Sequence, residues 1–310
     1  MKRTKIDYLT HTWNPFAMKC DPVSPGCSHC WHLAMCERMA KNPNIPDDKR
    51  RAYSGEGIPI LDSREFLAPQ DLKKPARIGV QFMGDLFHPN IHFDLIEMIF
   101  REMELNPRHN FLILTKRPEQ MRKFVYLYCY KNREEFEALG WENIWLGVSV
   151  EDQQTANERI PILLQTPANN RFISAEPLLG PIDLCNLSGS ANSYYQCLKP
   201  ITGSGGSNRA RLDWVIAGGE SGPYARPCAL NWVCKLAGQC EDSRVPFFFK
   251  QWGEWMPDFC FENTYWGYQE EEKYKTRSEY NEIFYKTGKK KAGFDVMTKP
   301  ERNLPEGLEL

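Results

Sequence analysis

Three thiols stand close together near the start of the chain: Cys20, Cys27 and Cys30, within the run WNPFAMKCDPVSPGCSHCWHLAMCERM from Trp13 to Met39. Pro22 and Pro25 lock φ and Gly26 permits a tight turn, so Cys20 to Gly26 reads as an exposed loop. From Ser28 onward the residues favour helix to about Lys41, with Ser28 as the expected N-cap. Three thiols on a loop that runs into a helix can converge on one point, and three thiolates suit an iron–sulfur cluster or zinc. Cys36 lies well over one helical turn beyond Cys30 and is expected to face another direction. With Cys36 as fourth ligand the site would be closed and structural, a zinc site; without it one position stays open, as a catalytic centre needs. Unligated thiols are the third reading. Of the three, the open cluster on Cys20, Cys27 and Cys30 is the one adopted.

Other side chains with chemical potential follow apolar, strand-like runs. In chain order they are Asp85 and His88, Thr115 with Lys116 and Arg117, Ser149 and Glu151, Glu176, Gly218 to Glu220, and Lys250 with Gln251. Lys116 and Arg117 are suited to a carboxylate or phosphate. Glu151 and Glu176 are candidates for acid–base groups or hydrogen-bond anchors, and Lys250, ending a strongly apolar strand, is expected to point inward. Gly218 and Gly219 would let backbone approach a ligand closely, with Glu220 accepting hydrogen bonds from it. His32 and His88 read as ordinary polar contacts, and Trp252 and Trp255 as packed aromatics with stacking on a base as the alternative.

The elements that must position these groups alternate. Strands are expected at Tyr8 to Trp13, Arg77 to Phe82, Asn110 to Leu114, Ile144 to Val150, Arg171 to Ser174, Leu212 to Ile216 and Pro246 to Phe249. Helices are expected at Phe93 to Leu105, from Pro118 to about Tyr130, from Glu151 to about Leu164, and from Leu230 to about Glu241. Apolar runs alternating with helical patterns indicate βα units around a parallel sheet buried on both faces. Seven runs predict an α/β fold: a partial or complete (β/α) barrel of parallel strands, TIM-barrel-like, with its chemistry after the strands' C-terminal ends. Residues 1–256 would form it, with insertions at 42–75 and 185–211 and an extension at 257–310. The extension carries Lys289, Lys290 and Lys291, which read as solvated surface, with phosphate contact the alternative.

The chain has 310 residues and a formal net charge of −1, so its total charge makes no case for nucleic-acid binding. No apolar run is long enough to span a membrane, and MKRTKIDYLT lacks the apolar core of a signal peptide. A cytoplasmic setting is expected, with the 11 cysteines reduced and no disulfide framework.

The cysteine loop after the first strand, the aromatic Trp31 directly after Cys30 and the βα series resemble the radical S-adenosylmethionine (SAM) superfamily. The commonest spacing there is C-x3-C-x2-C; here it is C-x6-C-x2-C, so the second half matches and the first gap is longer. A closer likeness is carried by TWNP, VSPGCSHCW, GDLFH, LTKRPEQM, WLGVSVEDQ, ERIPILLQTP, FISAEPLLGPIDL, LDWVIAGGESG, ARP and VPFFFKQWGEW. In this order they resemble a phage and bacterial family of unassigned function that is radical-SAM-like. The resemblance implies a [4Fe–4S] cluster, SAM as cofactor, and a reducing partner such as a flavodoxin or ferredoxin. It implies radical chemistry on an unknown substrate, with a nucleic-acid base or nucleotide suggested by the family's occurrence in phages, Lys116, Arg117 and the lysine tail. The GGE-like turn of the superfamily follows its second strand, where it meets the SAM amino group. Here Gly218 to Glu220 follow a late strand, so Gly84 and Asp85 are the positional candidates for that group. Trp31, Lys116, Ser149, Gly218, Gly219 and Glu220 complete the expected cofactor-binding set. A zinc-stabilised binding protein and a zinc hydrolase are the rival readings.

Overall fold

A computed structural model describes residues 1–132, 141–188, 194–195, 197–198, 210–258, 275–277, 282–292 and 302–308. Eight strands make one mostly parallel sheet. They are β1 (Lys2–Arg3), β2 (His11–Trp13), β5 (Arg77–Val80), β6 (Asn110–Thr115), β7 (Ile144–Ser149), β8 (Asn170–Ala175), β11 (Trp214–Ala217) and β12 (Phe247–Phe249), in that spatial order. The intervening strands β3 (Phe16–Ala17) and β4 (Ile60–Leu61) form a separate antiparallel ribbon. Strands β9 (Leu187–Ser188) and β10 (Tyr194–Tyr195) form another. Strand β1 pairs antiparallel with β2, whereas β2–β5, β5–β6, β6–β7 and β11–β12 are parallel. Closure into a barrel is not among these pairings. All seven expected strands are present with ends shifted by a few residues; β7, β11 and β12 are buried throughout, as a sheet covered on both faces requires.

The chain divides into two compact units. The first holds Met1–Val148, Ile162–Phe172 and Glu306–Leu310. Its core gathers Phe100 of helix α5 (Phe93–Glu104) against Phe124 of α6 (Pro118–Asn132) and Trp141, with ring centroids 4.8 and 4.9 Å away. Ile96, Ile99, Phe100 and Met103 recur at helical spacing and are all buried, so one stripe of α5 faces the core. The second unit holds Ser149–Pro161 and Ile173–Pro305. Helix α8 (Leu230–Ser243) buries Trp232, Val233, Leu236, Ala237 and Cys240, again a single face. Helix α7 (Gln153–Gln165) starts after Asp152, whose Oδ1 accepts from Thr155 N at 2.9 Å.

Two expectations change. Ser28 is not the N-cap of the first helix: Pro25–Cys27 form a 3₁₀ turn, Ser28 N donates to Pro25 O, and helix α1 (Trp31–Ala40) starts with Cys30 in the N-cap position. The 42–75 insertion, whose polar, Pro-rich sequence suggests one short helix, carries more than that. It holds α2 (Asp47–Ser54), β4, α3 (Ser63–Phe66) and α4 (Ala68–Asp71), with Asp62 capping α3 through Arg64 N and Glu65 N. Most of 189–209, Gly293 of the tail and Cys260 lie outside the described residues. Lys289–Ala292 forms one helical turn.

Candidate functional site

Within the first unit, the cysteine loop is built onto the C-terminal ends of β5 and β6. Gln81, just past β5, is fully buried with φ 53°, left-handed backbone that a non-glycine residue adopts only when its surroundings hold it there. Its amide accepts from Phe16 N and donates to Phe16 O, each at 3.0 Å, and donates to Met83 O at 2.9 Å. That side chain ties β3, from which the loop departs, to β5. Gly84 follows with φ 131°, and then comes Asp85, 4% exposed. Asp85 Oδ1 accepts from Thr115 Oγ1 at 2.7 Å and Phe87 N at 2.9 Å; Oδ2 accepts from Arg117 Nη1 at 2.9 Å and Lys116 N at 3.2 Å. Both carboxylate oxygens are thus used in aligning the turn after β6.

Arg117 and Lys116 carry that alignment to the sulfurs. Arg117 Nη1 also lies 3.6 Å from Cys20 Sγ, and Nη2 donates to Asp21 O at 3.0 Å. Lys116 Nζ lies 3.1 Å from Ser24 Oγ and 3.5 Å from Cys27 Sγ. His88 completes the hold on the loop. Its Nδ1 accepts from Asn90 N, so Nε2 carries the proton and donates to Asp21 Oδ2 at 3.0 Å. His88 is therefore a polar contact, as expected.

The thiols sit in unequal fields. Burial pushes Cys20 up to about 11, with the Asp85 charge adding to it. Burial also opposes ionisation of Cys27, but the Val23 backbone, Lys116 and Ser24 together hold it below its ordinary value. Cys20, Cys27 and Cys30 are all half-buried. A thiolate at Cys27 would raise Cys20 further, and thiolates at Cys20 or Cys30 would raise Cys36. Cys36 is fully buried, pushed up to about 12 by that burial, and its sulfur meets Met18 O at 3.4 Å and His32 Nε2 at 3.4 Å. His32 is buried and its ring is held down at about 4, so the pair is neutral. Trp31 opens α1 with its ring 55% exposed and edge-on to His32.

Three half-buried thiols, two of them beside cations, are donors of the kind that iron–sulfur clusters and zinc both take. Among the described residues no group of three or more His, Cys, Asp or Glu side chains is placed to hold a metal ion, so Cys20, Cys27 and Cys30 are not drawn together as a ligand set. Cys36, spent on Met18 and His32, does not complete such a set.

The second unit holds the remaining candidates in acid–base pairs after consecutive strands. Glu151, fully buried after β7, stands 3.5 Å from Arg159 Nη1, which also donates to Ser149 O at 2.7 Å. Ser149 Oγ donates to Glu176 O at 3.4 Å. Glu176, after β8, precedes a cis peptide bond to Pro177; its Oε1 is 2.8 Å from Lys250 Nζ and its Oε2 accepts from Ser174 Oγ at 3.0 Å. Lys250 points inward, 18% exposed. A Cβ on Gly218 would come 3.0 Å from Glu176 Oε1, and one on Gly219 would overlap Trp252 O at 1.9 Å. Glu220 receives a bidentate fork from Arg226, Nη2 to Oε1 at 2.7 Å and Nε to Oε2 at 2.8 Å. Gln251 is 7% exposed; its Nε2 donates to Ser221 Oγ at 3.0 Å. Trp252 is fully buried against Phe249, and Trp255 Nε1 donates to Ala225 O with Lys286 Nζ 5.5 Å from its ring centre.

The structure thus joins Cys20, Cys27, Asp85 and Lys116 in one network, and Ser149, Glu176, Lys250 and Gly218 in another. Sequence reasoning passed over Arg117 as a loop clamp, Gln81, Ser24, Arg159 and Arg226. The ARP segment was the one available pointer to Arg226; nothing in the sequence marked Gln81's left-handed backbone.

An α/β protein with polar side chains at the C-terminal ends of a mostly parallel sheet is the class these features define. Residues 3–303 match the family described as protein of unknown function (DUF5131), and the chain belongs to it. No curated protein and no solved structure matches the chain. No helix among the described residues is long and apolar enough to cross a membrane.

Proposed function

We propose that this chain is a radical SAM-type iron–sulfur enzyme, a partial or complete (β/α) barrel that holds a [4Fe–4S] cluster on Cys20, Cys27 and Cys30. What supports the reading is the loop itself: two of its three thiols, Cys20 and Cys27, lie within reach of a cationic N–H donor from the turn after β6. When bound, such a cluster supplies one electron to cleave SAM into methionine and a 5′-deoxyadenosyl radical. Asp85 and Gly84 shape the turn nearest the loop, and Trp31 offers an exposed ring for stacking. Glu176 and Lys250, 2.8 Å apart, are the pair able to hold and pass a proton, between Lys250 Nζ and Glu176 Oε1. Glu151 and Glu220 keep buried charge balanced against Arg159 and Arg226. The substrate class is a nucleic-acid base or nucleotide, and the electron comes from a flavodoxin or ferredoxin. The test is incubation of the anaerobically reconstituted chain with SAM and dithionite, followed by chromatography. Formation of 5′-deoxyadenosine is expected; intact SAM in the presence of a fully assembled cluster would remove the activity.

A further inference from the structure

In the second unit, the chain after β12 builds a frame that the proposed function leaves unused. Strands β13 (Trp255–Pro257), β14 (Lys275–Arg277) and β15 (Ile283–Lys286) form an antiparallel sheet with β15 in the middle, and Trp255 stands opposite Lys286. A β-turn from the loop after β11 docks on that pair. Ala225 N donates to Gly222 O at 3.1 Å, with Pro223 and Tyr224 between them. Gly222 has φ 116°, and the ring of Pro223 fixes the next φ. Three bonds hold the turn: Gly222 N to Glu254 Oε1 at 3.2 Å, Lys286 Nζ to Pro223 O at 3.1 Å, and Trp255 Nε1 to Ala225 O at 2.6 Å. Tyr224 lies between the last two anchors and is nevertheless 77% exposed. Its ring is thus held out to solvent on backbone fixed at either side. Glu254 O also accepts from Thr287 N and Gly288 N, each at 3.1 Å, so the start of the lysine run hangs on the residue that anchors the turn. Lys290 in that run is exposed.

A flat ring presented on a fixed turn loses little freedom when something stacks on it, and every base has a π-face to offer. Exposed tyrosine also suits a protein partner, but lysine is depleted from protein–protein interfaces and is a common phosphate contact. The ring and the lysine together therefore favour nucleic acid. Stacking on a side chain needs a base with an open face, which a single strand has and a duplex interior lacks. We propose that this face of the second unit docks single-stranded nucleic acid: Tyr224 stacks on a base, Lys290 meets a backbone phosphate, and Lys286 is a positioning residue that keeps the turn in place. The stacking role that the sequence offered to Trp252 and Trp255 passes to Tyr224, because Trp252 is fully buried and Trp255 is engaged with Ala225 O. Docking here needs neither a metal nor SAM and does not rest on the cluster reading.

The test is fluorescence anisotropy of a fluorescein-labelled oligothymidylate of about 15 nucleotides, titrated with the full-length chain at several salt concentrations. Wild type is expected to bind it, more weakly as salt rises, and to prefer it to a duplex of equal length. Tyr224→Ala is expected to lower the affinity at least about fivefold, and Tyr224→Phe, which keeps the ring, to stay within about twofold of wild type. Lys290→Gln is expected to make the dependence of log affinity on log salt shallower by about 0.7, the effect of one phosphate contact on a single strand. Both side chains are exposed, so thermal unfolding midpoints close to wild type are expected in all three variants. A wild-type chain that does not bind, a duplex bound as tightly as the single strand, or a Tyr224→Ala chain that binds as wild type does overturns the proposal. So does binding to phosphatidylserine vesicles, lost in Tyr224→Ala, by a chain that ignores the oligonucleotide. A loss in Tyr224→Phe equal to that in Tyr224→Ala overturns stacking, and an unchanged salt slope in Lys290→Gln overturns the role of Lys290. Iron content does not enter the measurement, so failure here is distinct from failure of the cluster reading.

Discussion

Gly219 has no room for a side chain. A Cβ there would lie 1.9 Å from Trp252 O, and main-chain atoms cannot swing aside as a flexible side chain can. Gly219→Ala is expected to cost about 3 kcal/mol, the upper end for forcing volume into a packed site, measured by urea denaturation. Gly238, inside α8, has nothing within 4 Å of its missing Cβ, so Gly238→Ala is expected to gain about 0.5–1 kcal/mol from helix propensity alone. A loss of stability at Gly238, or none at Gly219, contradicts these placements. His109 yields a pH dependence. It is fully buried and its Nε2 donates to Pro69 O at 3.2 Å. Burial holds its ring below the ordinary 6.5; the Pro69 and Leu72 carbonyls oppose this, while Arg108 and His11 reinforce it. The unfolded chain then binds a proton that the folded chain refuses, so this contribution is present above about pH 6.5 and is lost as pH falls below it. The urea midpoint of His109→Gln, which keeps a donor for Pro69 O, is expected to fall less between about pH 7.5 and 5.5 than that of wild type. An equal fall contradicts the assignment.

At the scale of elements, α5 shows how one stripe carries a helix. Phe100 is fully buried among Phe124, Tyr128 and Trp141, and Phe100→Ala is expected to cost about 3–5 kcal/mol. Met98, 41% exposed on the same helix, is expected to tolerate alanine within about 0.5 kcal/mol. A similar loss at both positions would mean that the helix does not bury the stripe described. Gln81 carries three of the hydrogen bonds around the join of β3 to the turn after β5. Gln81→Ala removes three hydrogen bonds and leaves Phe16 N and O unmatched by that amide, at a cost on the order of 3 kcal/mol by thermal unfolding. The regular βα elements were legible because each is a long apolar run with a clear period, and tertiary packing reinforces that pattern. The start of α1 was not: Pro25 opens a 3₁₀ turn that takes up Ser28 N, so the helix begins three residues later. Nor were the short pieces between residues 47 and 71, which depend on partners such as Asp62 meeting Lys49 from another element.

Across the whole molecule, polar groups after successive parallel strands fall into two networks, one in each unit. Sequence position foresaw their location because side chains just past a buried strand are the first to leave the core. It did not foresee their pairing. Glu220 with Arg226 and Glu176 with Lys250 are matches across loops, set by where backbones converge, and Asp85 serves four donors that no spacing rule names. The proposed function turns on the thiols of the cysteine loop. The most direct measurement is therefore iron, acid-labile sulfide and zinc in the chain purified without oxygen, together with its visible spectrum. The account predicts a brown protein with about four iron and four sulfide per chain and broad absorbance near ~400 nm, lost in Cys20→Ala, Cys27→Ala and Cys30→Ala and kept in Cys36→Ala. A colourless protein with a single zinc that disappears in Cys36→Ala would contradict it.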